Sequence, residues 1–69
     1  MDLSEKARIR IEHWIRHNED HLNEYEEFAQ ELDKAGKKET ADHIRNMAIL
    51  VAQGDKSLQL ALETLALPK

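Results

Sequence analysis

The sequence contains no cysteine. Disulfide staples and thiolate metal sites are therefore excluded, and the absence fits a cytosolic chain without requiring one. Breakers are scarce, with two glycines and one proline in 69 residues. Set among abundant Ala, Leu, Glu, Lys and Gln, that scarcity argues for helix throughout. Long apolar runs are also missing. The longest are stretches such as Met47 to Ala52, far short of the roughly 20 residues a membrane span requires. The opening MDLSEKAR has no apolar core and no small-residue cleavage site, so it does not read as a signal peptide. Nor is there an excess of positive charge. Acidic residues outnumber basic ones 14 to 10, for a net charge of -4, and the lysines and arginines form no stripe. Nucleic acid is thus not an expected partner, because phosphate binding needs a basic face. The expectation is a cytoplasmic protein of one domain at most, too short to bury a large core without a staple or a partner.

The residues that are present arrange as two helices. Asp2 or Ser4 can cap the first, and Glu5 stands three residues after Asp2, as a capping box requires. The pattern then continues from about residue 4 to Lys34 without a breaker, and Gly36 follows as a helix stop. A second helix is expected over about residues 38–66, with Glu39 in its first turn and Pro68 beyond its end. The intervening turn, residues 35–37, is so short that the helices must run antiparallel. The fold class expected is all-α, an antiparallel two-helix hairpin.

An apolar stripe runs along each helix. It reads Leu3, Ala7, Ile11, Trp14, Leu22, Tyr25, Phe28, Ala29 and Leu32 in the first. In the second it reads Thr40, Ala41, Ile44, Met47, Ala48, Val51, Leu58, Leu62 and Leu65. Trp14 and Tyr25 read as core aromatics. Ile15, Ile49, Leu50, Leu60 and Ala61 widen the apolar surface beyond what one helix–helix seam can bury. Self-association is expected, most simply two hairpins forming a four-helix bundle as a homodimer.

Each stripe has a polar gap. In the first helix it falls at Asn18 and His21, which project within roughly 40° of the line through Trp14 and Tyr25. In the second it falls at Gly54 and Asp55. Folding about Gly36 opposes residues whose numbers sum to about 72. That sets Asn18 level with Gly54, His17 with Asp55, His21 with Val51, and Trp14 with Leu58. The two gaps therefore share one layer, where polar groups can satisfy one another. Left unpartnered, each would cost on the order of 1 to 3 kcal/mol. Gly54, unfavourable in a helix by about 1 kcal/mol, would give room to Trp14 or a histidine ring.

Two chemistries suit that layer. His13, His17 and His21 follow one another at four-residue intervals, a spacing that presents paired imidazoles to one metal ion. His13 and His21 lie about 12 Å apart along the axis, too far to share one ion on a straight helix. The expected ligand set is His17, His21 and Asp55, with His13 on the rim or in a second site. Nitrogen and oxygen donors without sulfur suit a divalent transition metal such as nickel or zinc. The other reading is a hydrogen-bonded layer of Asn18, His21 and Asp55 that fixes helix register and oligomer state. Catalysis is the weaker reading. There is no Glu-x-x-His of the di-iron type, and Ser4 and Ser57 have no evident base apart from the cluster beside Ser57. A binding protein rather than an enzyme is expected.

The segment HWIRHNEDHLNEY resembles small helical-hairpin domains with a His-Trp-Ile-x-His-Asn-x-x-His helix. Those domains stand alone or follow nickel-binding proteins of the CooT type. The matching residues are His13, Trp14, Ile15, His17, Asn18 and His21, and ELDKAGKKETADHIRNMA resembles the hairpin turn of the same domains. The resemblance covers about residues 9 to 66. It implies transition-metal handling, with nickel as the suggested metal and a metal-handling protein as a partner, and it implies no reaction.

Overall fold

The structure, a computed structural model, describes residues 2–66. It is a hairpin of two long helices, α1 (Leu3–Lys34) and α2 (Lys38–Ala66). Pro68, read as the stop of the second helix, lies outside the described residues.

Local chemistry accounts for each end. Asp2 is extended and its carboxylate accepts from the Glu5 amide at 2.9 Å, which satisfies one of the free N–H groups of the first turn. At the other end Gly36 takes φ 76°, the left-handed conformation. The Gly36 amide then donates to the Asp33 carbonyl at 3.0 Å, and the Lys37 amide to the Leu32 carbonyl at 2.8 Å. This pair of bonds is a Schellman motif, and it turns the chain back within three residues. The Ala41 amide donates to the Lys37 carbonyl at 3.1 Å and begins α2.

The helices meet along one narrow seam. From α1 it takes Ala7, Ile11, Ile15, Asn18, Leu22, Tyr25, Ala29 and Leu32, all buried or half-buried. From α2 it takes Ala41, Ile44, Ala48, Val51, Asp55, Leu58 and Leu62. Steps of three and four keep these positions facing the partner helix. Ala29 and Ala41 are wholly buried, so small residues bring the helices together beside the turn. One flank of the seam is tied by charge. Arg45 Nη2 donates to Asp33 at 2.6 Å, and its Nε donates to Glu26 at 3.4 Å.

The seam departs from the expected stripe in particular places. Ile15, expected as surplus apolar surface, is buried, whereas Trp14 and Phe28 are 46% and 54% exposed. A two-helix seam accepts about one side chain per turn from each helix. It runs through Ile11, Ile15 and Asn18 and leaves the aromatics on its flank. Leu3, Met47 and Leu65 are exposed for the same reason. Apart from small alanines, Ile15 is the one buried hydrophobic among the described residues. No helix among the described residues is long and apolar enough to cross a membrane.

Candidate functional site

The polar gaps of the two helices do meet in one layer. Asn18 Nδ2 donates to Asp55 Oδ1 at 2.8 Å across the seam, and Asp55 is only 8% exposed. The pairing sets Asn18 opposite Asp55, one residue along from the expected match with Gly54. Among the described residues no buried side-chain nitrogen or oxygen lacks a hydrogen-bond partner, so the layer is satisfied as it stands.

The histidines lie beside this layer rather than within it. His21 sits at the seam's edge with 38% of its side chain exposed, and His17 and His13 are exposed. Their rings nevertheless form a continuous row along α1. His13 stacks on His17 at 6.0 Å between centroids, His17 meets His21 edge-on at 4.3 Å, and His21 stacks on Tyr25 at 5.9 Å. Within the row, the Nε2 atoms of His17 and His21 approach to 2.9 Å. His21 Nδ1 lies 3.2 Å from Glu24 Oε2. These contacts are satisfied in one direction. Nδ1–H of His21 donates to the carboxylate, its Nε2 keeps a lone pair, and His17 Nε2–H donates to that lone pair.

The expected ligand set is thereby divided. His17 and His21 come together, with His13 next in the row. Asp55, across the seam, is engaged by Asn18, and no hydrogen bond joins it to an imidazole. The reason is rotational. His17 stands about 100° around the helix from Asn18, so it faces outward when Asn18 faces the seam. Among the described residues no group of three or more His, Asp or Glu side chains converges where it could hold a metal ion. Gly54 gives room to nothing inside the hairpin, because a Cβ built there meets no atom within 4 Å. His43, on α2, is exposed.

Two features escaped sequence reasoning. Glu24 acts through the histidine row, by holding His21 Nδ1, which its position three residues on permits. Arg45 gathers Glu26, Asp33 and Asp42 on the opposite flank. A lone arginine on the seam side of α2, level with the acidic end of α1, was the available signal. The guanidinium holds the Asp33 carboxyl below its ordinary range by hydrogen bonding, and the same bond raises Arg45.

The protein is thus a helical hairpin with one polar layer inside its seam and a row of imidazoles along its edge. It belongs to the family described as a domain of unknown function, DUF8180, whose model matches residues 7–65. No curated protein and no solved structure matches it.

Proposed function

We propose that this hairpin binds a divalent transition metal through Nε2 of His17 and His21, and that it works as a self-associating, non-catalytic metal-binding module of the cytoplasm. The observation that carries the reading is the convergence of those two nitrogens to 2.9 Å while Glu24 occupies the far nitrogen of His21. A ligating histidine commonly gives its other N–H to a carboxylate, which fixes tautomer and ring orientation. Two nitrogens at about 2.0 to 2.1 Å from one ion stand about 2.9 Å apart at a right angle and about 3.3 Å apart in a tetrahedron. The 2.9 Å contact is an N–H···N hydrogen bond, so an ion taking the place of its proton finds both nitrogens already within reach of either separation. Nickel is the metal suggested by the sequence resemblance. His13 stays on the rim, and Asp55 stays with Asn18. A metal-handling protein is the partner this reading calls for.

Calorimetric titration of the untagged chain with Ni²⁺ and, separately, Zn²⁺ tests it. Dissociation constants at or below the micromolar range are expected, lost in His17→Ala and in His21→Ala and kept in His13→Ala. Absence of binding in the wild type contradicts the proposal.

A second reading is favoured by the Asn18–Asp55 bond. In it the hairpin is a structural or protein-interaction module whose polar layer fixes helix pairing and oligomer state. Variants of the histidines would then change neither melting temperature nor metal content.

A further inference from the structure

The accessible surface of this chain is 5583 Å² for 8.0 kDa. A compact monomer of that mass exposes about 4,450 Å². The excess follows from the shape, a slab of 53 × 18 × 10 Å with one seam.

Six of the nine large hydrophobics that stand exposed among the described residues, Leu3, Trp14, Phe28, Met47, Leu50 and Leu65, fall on one side of the slab, while Ile9, Ile49 and Leu60 lie off it. At about 100° per residue, Leu3, Trp14, His17, His21 and Phe28 fall within about 60° of one another on α1. Met47, Leu50, Gly54, Leu58, Ala61 and Leu65 fall within about 80° on α2. Both strips are displaced from the seam against the winding of their helix. In an antiparallel pair of right-handed helices, equal displacements lie on the same side. Glu26, Asp33 and Arg45 are displaced the opposite way, and their observed ion pairs mark the other side. One face therefore carries most of the exposed apolar side chains, with Arg10 and His43 among them, and the other is tied by charge around Arg45 and also holds Ile49.

We infer that this apolar face is covered by a second copy of the chain, and that the two histidine pairs meet there to complete a four-imidazole site for one divalent metal ion. The inference rests on the metal-binding reading above, and it supplies the ligands that one hairpin lacks. The face is on the order of 950 Å² in each copy, from its 53 and 18 Å edges. A stable interface needs about 800 Å² per partner.

Charge selects the orientation. Beside Leu3 and Trp14 the strip on α1 is bordered by Lys6 and Arg10, and beside Phe28 by Glu24 and Glu31. Stacking α1 on α1 of the second copy in antiparallel sense places the basic pair against the acidic pair, whereas the parallel sense sets the acidic pairs together. A two-fold axis across the helices produces the antiparallel stack. For full overlap that axis crosses each helix near its middle. The Asn18–Asp55 bond sets α1 residue 19 level with Gly54, and residue 19 is the midpoint between His17 and His21. The axis thus passes over the histidine pair on α1 and over Gly54 on α2, and each meets its own copy. Gly54 then gives the two α2 helices their closest approach, which explains a helix-interior glycine with open space before it. Leu50 falls against Leu58 of the second copy, and Met47 against Ala61.

Sedimentation velocity and metal analysis of the untagged full chain, alone and with Ni²⁺ or Zn²⁺, test the inference. The wild type is expected to be a dimer that takes up one ion per two chains. His17→Ala and His21→Ala should remain folded but lose the ion. Gly54→Glu adds a good helix former where the hairpin has open space, so its helicity should persist. Placed beside its own copy, it should weaken the dimer at least tenfold and lower metal affinity with it. One ion per monomeric chain overturns the shared site while leaving the histidine pair a metal site. A dimer indifferent to Gly54→Glu overturns the proposed face. No bound metal in any state removes the shared site together with the reading it rests on.

Discussion

Asn18 and Asp55 carry the most consequence per atom in this chain. Among the described residues their 2.8 Å bond is the one side-chain hydrogen bond between the seam stripes of α1 and α2, and it fixes which residues stand level. Removing one partner leaves the other buried without a hydrogen bond. Asn18→Ala is therefore expected to lower stability by about 1 to 3 kcal/mol in urea unfolding. The double variant Asn18→Leu/Asp55→Leu should recover most of that loss and give a less uniquely paired hairpin. Broadened NMR amide lines would report the lost uniqueness. At Asp33 the expectation concerns pH. Its folded pKa is depressed by the Arg45 hydrogen bond, so its stabilisation is present above the ordinary aspartate value of about 3.9 and is lost as pH falls through the lower folded value. Arg45→Met should melt below the wild type at pH 7, and the difference should close as the pH falls through the lowered pKa of Asp33.

The two helices were legible in the sequence because their signals are local. Asp2 with Glu5, Gly36 after Lys34, and an unbroken run between them need no knowledge of the rest of the chain. Which face turns inward is less local. The stripe on α1 is broad enough to be centred on Trp14 or on Ile15, and a rotation of a few tens of degrees separates the two choices. The partner helix decides, through Asp55 and its match to Asn18, and so Ile15 is buried while Trp14 stays half exposed. The same rotation carries His17 away from Asp55. The shared polar layer could be read from hairpin arithmetic, but the division of the ligand set could not. The turn gives the prediction at this scale. Gly36 holds φ 76°, which a Cβ disfavours, so Gly36→Ala should cost about 1 kcal/mol in unfolding free energy without changing helix content in the folded state.

As a whole molecule the hairpin is long, thin and poorly filled. It has no large side chain that is fully buried among the described residues, while Leu3, Trp14, Phe28, Leu50 and Leu60 lie open. In the proposed pairing, association supplies the stability that so small a core cannot. The melting temperature should therefore rise with protein concentration, as mass action requires when folding and assembly are linked. Trp14, 46% exposed in one hairpin, gives an optical measure of the same event, and its emission should shift to the red on dilution. The central claim concerns the imidazole nitrogens. X-ray absorption spectroscopy of the nickel-loaded, untagged chain tests it most directly. Imidazole nitrogens should appear at about 2.0 to 2.1 Å, with the ring's outer-shell scattering, and should vanish in His17→Ala. A coordination shell of oxygen alone, unchanged by that substitution, would contradict the claim.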